Sequence, residues 1–258
     1  MNTLLLKLIL TPSLIGAASL AGRRWGDSIS GWIIALPLTT VPITFFLALT
    51  HGTAFGATAA AGTLAGGLSQ SAFILTFALL AHRWKWLPTL TASTLAFAAF
   101  TAVLQQLTLP IIPLYVLVFL VFLLVLMVLP RQTHPEAATE GLPSKWDIPL
   151  RMVIATVFVV LITSLAPGFG PRLTGLVSPF PLITSILAVF ALEQHGADAA
   201  VSVLRGVTMG LFSFASFFFV LGILLVPAGI LVAFIAAILV ELVSQAITLW
   251  LIQRQRLA

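Results

Sequence analysis

Residues 173–217 read "LTGLVSPFPLITSILAVFALEQHGADAAVSVLRGVTMGLFSFASF", and residues 29–73 read "ISGWIIALPLTTVPITFFLALTHGTAFGATAAAGTLAGGLSQSAF". Laid over each other without a gap, at a constant offset of 144, the two segments agree at eleven of 45 positions. The matches fall on residues with particular backbone or polar roles: Gly31/Gly175, Pro37/Pro181, Thr40/Thr184, His51/His195, Gly52/Gly196, Gly62/Gly206, Gly66/Gly210 and Ser69/Ser213. The same offset sets Lys7 on Arg151. Agreement of this kind marks an internal duplication.

The composition says what is duplicated. The chain has 258 residues, is 60% hydrophobic and 7% charged, against about 45–50% and 25% in soluble domains. Apolar runs long enough to cross a bilayer recur from end to end, at 3–21, 29–50, 54–82, 87–106, 109–130, 148–166, 173–194, 198–225 and 228–252. The expectation is an all-α polytopic membrane protein of nine transmembrane helices. Within the first, "AASLAG" resembles a signal cleavage site, but Lys7 interrupts the apolar run and no basic segment precedes it, so it is read as a structural helix. Cysteine is absent, which excludes thiol chemistry. The four histidines are scattered, and neither metal-ligand spacing, a phosphate loop nor a nucleophile motif is present. No enzyme activity and no cofactor are expected.

Nine crossings sort the charge. Arg23, Arg24, Arg83, Lys85, Arg131, Lys145, Arg254 and Arg256 fall on the side opposite the N-terminus, with Arg151 just inside the sixth helix; Lys7 and Arg172 lie toward the other side. Trp25, Trp32, Trp84, Trp86, Trp146 and Trp250 fall at the same interface as the basic cluster. By the positive-inside rule that side is cytoplasmic, giving an outside N-terminus and a cytoplasmic C-terminus. Orientation and anionic lipid then account for the net charge of +5, and no nucleic-acid partner is expected.

Four helices return a chain to its starting side, so the fifth decides the symmetry. With "PIIPLYVLVFLVFLLVLMVLP" between them, the two quartets are inverted. The division is residues 1–107 for the first four-helix repeat, 108–147 for the connector helix and cytoplasmic linker, and 148–258 for the second repeat. Inverted repeats are a recurring plan of secondary transporters, whose sites lie at the midplane beside interrupted helices. Prolines in "ALPLTTVPIT" and "SPFPLITSIL" remove backbone donors beside Thr39, Thr40, Ser178, Thr184 and Ser185. A kink satisfied by those hydroxyls is the simpler reading of each. His51-Gly52 and His195-Gly196 each read as helix ends, with glycine as cap. The glycines of "GTLAG" and "GVTMG" place the third and eighth helices against each other.

Two intramembrane charges remain. Counting inward at 1.5 Å per residue brings Arg205 and Glu241 to within a side chain's reach, as an ion pair beside a seam of Ser202, Met209, Ser213, Ser216, Ser244, Gln245 and Thr248, with Ser69 and Gln70 deep in the third helix. Their counterparts under the offset are Ala61 and Phe97, so the second half carries chemistry the first lacks. Arg205 suits a carboxylate or phosphate; alternatively Glu241 carries a coupling proton; or the two are only a structural pair. The substrate-binding candidates are therefore Arg205, Glu241, Thr39, Thr40, Ser178, Thr184, Ser185, Ser213, Gln70 and Gln245.

The unit "LTGLVSPFPLITSILAVFALEQHGADAAVSVLRG" resembles small bacterial inner-membrane proteins of the GlpM type, with their Gly-rich entry, "FP" run and following basic residue. The likeness covers residues 173–217 and more faintly 29–73, and implies a duplicated form of that unit in a bacterial inner membrane. In plan the chain also resembles small multidrug resistance and drug/metabolite transporters, where four-helix units pair antiparallel. The expectation is a secondary transporter moving a small anionic organic solute or lipid-like molecule by alternating access. The competing one is a non-catalytic membrane subunit, or a lipid-binding or assembly protein. Partners would be the small-molecule or lipid-like substrate and membrane lipids, with homo-oligomer formation left open.

Overall fold

In the computed structural model the described residues are 3–25, 37, 39–130 and 147–257, and among them the chain is all helix. We name the helices α1 (Thr3–Trp25), α2 (Thr40–His51), α3 (Thr53–Ala81), α4 (Trp86–Gln106), α5 (Ile111–Val128), α6 (Asp147–Val177), α7 (Leu182–His195) and α8 (Ala197–Leu257). Five of them, α3, α4, α5, α6 and α8, are long and apolar enough to cross a membrane. The first half of the expected second helix, the linker 131–146 and the side chains of Arg23, Arg24, Trp25, Arg151, Thr248, Trp250, Arg254 and Arg256 lie outside the described residues.

Two joints differ from the expected boundaries. The sixth apolar run predicts a helix ending at 166, yet α6 continues to Val177 through a break at Gly170 (φ 73°, ψ 168°). At 61 residues, α8 would be about 90 Å long if straight, three times the bilayer core. It folds back at Gly229 (φ 77°, ψ 174°). Ser213 and Gln245, 32 residues apart, are consequently hydrogen-bonded, and the rings of Phe217 and Phe234 lie 6.2 Å apart. The eighth and ninth expected spans are thus the two arms of one hairpin, which we call α8a (197–228) and α8b (230–257).

The hub is α3. Of its most apolar stretch 72% is buried, against 22–33% for the other four long helices. A run of small residues lets neighbours approach closely on several sides, and α3 packs against α2, α4, α5, α6 and α8. Its course relative to α8a is antiparallel. Gly56 faces Leu225, Gly222 faces Ala57, and His82 at the far end lies 3.9 Å from Asp198. The glycines expected to join these helices do something else. Gly62 and Gly66 receive Arg172, Gly175, Leu176 and Pro179 of α6 and the segment after it, while a β-carbon at Gly206 would meet no described atom within 4 Å. Spacing announces a close approach but not its partner. α5 fulfils the connector's description: Leu114, Val118, Phe122 and Val125 pack inward, and Ile112, Val116, Leu120, Leu124 and Met127 face outward. In α1, Lys7 is buried with its Nζ 5.7 Å from the centre of the Phe46 ring.

Correspondence at the offset of 144 extends from residues to geometry. Gly52 and Gly196 are each the sole residue between two helices, at φ 92°, ψ 166° and φ 87°, ψ −176°. Each takes its N–H to the preceding helix (Ala48 O, 3.1 Å; Leu192 O, 3.1 Å) and offers its carbonyl to the next (Gly56 N, 3.1 Å; Ala200 N, 3.3 Å). Only glycine tolerates that backbone region. Because a β-carbon at Gly52 would meet no described atom within 4 Å, Gly52→Ala isolates the backbone term. It is expected to lower stability by about 1–3 kcal/mol, read as a fall in the thermal unfolding midpoint in detergent.

Candidate functional site

Proline chemistry sets the first part of the site. In a continuous helix the carbonyls of Gly175 and Val177 would receive the N–H groups of residues 179 and 181, but both are proline and have none. The chain re-satisfies them locally. Gly175 O accepts the Ser178 N–H (3.2 Å) and the Ser178 hydroxyl (2.8 Å), and Val177 O accepts the Phe180 N–H (3.0 Å). The result is a non-helical turn at 178–181 between α6 and α7. Thr63 of α3 reaches it through a 3.0 Å contact between its Oγ1 and Ser178 Oγ. Gly66 lies under Pro179, and Phe180 packs edge-on to Phe97 at 5.2 Å. Gly66 is one residue from the middle of Thr53–Ala81, so the turn is held at the mid-depth of the hub helix. Non-helical backbone at such depth is tolerated only where protein or a cavity surrounds it.

At the start of α2 the matching proline carbonyl accepts in the same way as that of Pro181. Pro37 O accepts the Val41 N–H (3.0 Å) and the Thr40 hydroxyl (3.3 Å). Its counterpart Pro181 O accepts the Ser185 N–H (2.7 Å) and the Ser185 hydroxyl (2.6 Å). Thr40 and Ser185 are buried, whereas Thr39 and Thr184 are half-buried.

A second matched pair sits deeper. Thr101 of α4 donates to Ser69 of α3 at 2.9 Å, and Ser213 of α8a donates to Gln245 of α8b. The first pair is centred on Lys85 and the second on Gly229, positions again 144 apart. Gln70 is buried beside Ser69. One turn before Gln245, Glu241 is only 4% exposed, and its Oε1 is enclosed without a hydrogen-bond partner among the described residues. Phe97, its counterpart, packs on the 178–181 turn.

The expected Arg205–Glu241 ion pair is corrected. Arg205 donates through one guanidinium nitrogen to Leu126 O (2.7 Å) and Leu129 O (2.6 Å) at the end of α5, and no ion pair joins it to Glu241 among the described residues. Those carbonyls end a helix, where they lack intrahelical donors and carry the negative end of the dipole, so a cation is the group they favour. Arg172 does the same at α4, donating to Leu104 O (2.9 Å) and Leu107 O. Two arginines of the second half therefore hold the entry to α5 and its exit. Arg205 also lines an open depression of about 410 Å³ with Leu123, Leu126, Met127, Leu129 and Pro130.

The expected polar seam accordingly divides. Arg205 and Ser216 look toward α5, where Ser216 Oγ lies 3.0 Å from the Tyr115 hydroxyl, while Ser213 looks toward α8b. Of the sequence-derived candidates, the structure joins Ser213 with Gln245, sets Ser178 on the turn and Ser185 in the first turn of α7 after it, places Thr39 and Thr40 at the start of α2, and leaves Arg205 at the periphery. Thr63, Thr101 and Arg172 are participants that sequence reasoning does not single out. Thr63 has a signal, as the single hydroxyl within "GTLAG"; Arg172 has none, because backbone carbonyl acceptors leave no trace in sequence. Comparison with protein-family models, curated proteins and solved structures finds no match to this chain.

Proposed function

We propose that the chain is a multi-pass inner-membrane secondary transporter, built as two inverted four-helix repeats around the connector α5, that moves a small anionic amphiphile by alternating access. The observation that carries this reading is the enclosed non-helical turn at 178–181, hydrogen-bonded to the hub helix at mid-depth; Pro37, the counterpart of Pro181, accepts in the same way at the start of α2. An interrupted helix enclosed by protein at mid-depth is a recurring element of midplane sites in transporters of this plan. Inversion is supported by the antiparallel course of α3 and α8a, since the offset equates these two helices. A two-fold axis in the membrane plane makes equivalent helices antiparallel; an axis along the normal would make them parallel. The nine-crossing topology with an outside N-terminus and a cytoplasmic C-terminus belongs to the same proposal, as does the absence of catalysis. That the cargo is anionic and partly apolar rests on the sequence, in which an arginine, whose planar fork suits a carboxylate or phosphate, stands in an apolar segment.

The native chain lacks cysteine, so single cysteines at Ser178, Thr184 and Ser213 can be labelled with an impermeant maleimide from either face of oriented vesicles. Transport predicts that each position reacts from both faces, with one side suppressed when the other is held open. Labelling confined to one face at all three positions would instead favour a lipid-binding or assembly subunit.

A further inference from the structure

We propose that Glu241 is an exchangeable proton-binding site enclosed within the α8 hairpin, and that it is the coupling site of the transporter. The coupling role rests on the transport reading; the proton site does not. Glu241 is buried, and its Oε1 meets no donor among the described residues. A bare carboxylate in such surroundings carries a large desolvation cost, so its charge must be neutralised.

No resident cation is placed to do it among the described residues. Within α8a the charged residues are Asp198, exposed at the helix start, and Arg205, whose guanidinium is directed at the carbonyls ending α5. α3 and α5 contain no Lys, Arg, His, Asp or Glu, and α2 has only His51 at its exposed end. α7 offers Glu193 and His195 at its exposed end, and His82 after α3 pairs with Asp198. A bound metal cation would need several oxygens converging on the carboxylate. Of the polar side chains one turn along the same helix, Ser244 and Gln245, the latter already has its amide oxygen engaged by Ser213. A proton needs one oxygen. On uptake an O–H bond forms on the carboxylate and the charge is cancelled; on release the proton returns to water through whichever side is open. The first repeat has Phe97 at the equivalent position, so one such site per chain follows.

Two measurements test this on the full-length protein in detergent. Glu241 is one of seven acidic residues, so infrared difference spectra between wild type and Glu241→Gln isolate a single carboxylic acid. Its carbonyl band is expected at acid pH and should disappear on raising the pH. Should Glu241→Gln not fold, wild type is treated with an apolar carbodiimide, which requires the protonated acid, and the adduct is mapped by mass spectrometry. Modification of Glu241 is expected to fall about tenfold or more from acid to alkaline pH and to be indifferent to sodium. Protection by sodium would overturn the proposal in favour of a metal-cation site. Modification that is absent or constant at every pH would overturn it outright. One-sided labelling at Ser178, Thr184 and Ser213 alongside pH-dependent modification would remove the coupling role and leave the proton site standing.

Discussion

Gly175→Ala is expected to abolish the folded protein, with loss of the monodisperse species in detergent and a destabilisation of about 3 kcal/mol or more. The added β-carbon would stand 2.2 Å from the carbonyl oxygen of Ala59 and 2.9 Å from the Thr63 amide nitrogen. Both obstacles are backbone of the hub helix and have no rotamer through which to yield. The contact is reciprocal, since a β-carbon at Gly62 would stand 2.6 Å from Arg172 O. α3 and α6 would have to separate. That would pull Ser178 off Thr63 and withdraw the cover over the 178–181 turn. Overpacking in a well-filled core costs about 1–3 kcal/mol where side chains adjust, and here none can. Gly168→Ala, seven residues earlier on α6 with no described atom within 4 Å of the new one, serves as control and is expected to behave as wild type. Equal behaviour of the two variants would mean that α6 does not lie against α3 as described.

The contrast between those glycines shows where sequence reading stops. The offset of 144 makes Gly52, Gly196 and the two proline turns legible, because their causes are local: a positive φ demands glycine, and a missing donor demands a break. Helix existence is legible for the same reason, since apolar length is a property of a segment. Partners are not. That Gly62 and Gly66 meet α6 instead of α8a depends on how each helix is rotated about its axis, and a face containing alanine, leucine and glycine on several sides does not fix that rotation. The seam fails in the same manner. Ser213 and Ser216 are three residues apart and share a face by periodicity, yet one bonds Gln245 and the other Tyr115. In a bundle where α8a is packed on several sides, a stripe of that width spans two interfaces.

Arg205 is the sharpest case, and its partner can be decided energetically. Counting residues along two helices puts it within a side chain's reach of Glu241, and opposite charges so placed invite a pair; the carbonyls of Leu126 and Leu129 are invisible to that count because every residue has one. Arg205→Met is expected to lower stability by about 2–4 kcal/mol, since it leaves two helix-terminal carbonyls without their charged donor. Arg205→Lys should recover roughly half, because an ammonium keeps the charge but loses the planar fork. The decisive quantity is the coupling between Arg205→Met and Glu241→Gln in a double-mutant cycle. With no shared partner among the described residues, the two effects should add, to within about 0.5 kcal/mol. A buried ion pair would instead couple them by several kcal/mol, because removing either member strands the other as an uncompensated charge. Additivity would leave Glu241 without a permanent counter-ion, the condition under which its proton can be taken up and released. Strong coupling would restore the ion pair and remove the structural grounds for the proton site.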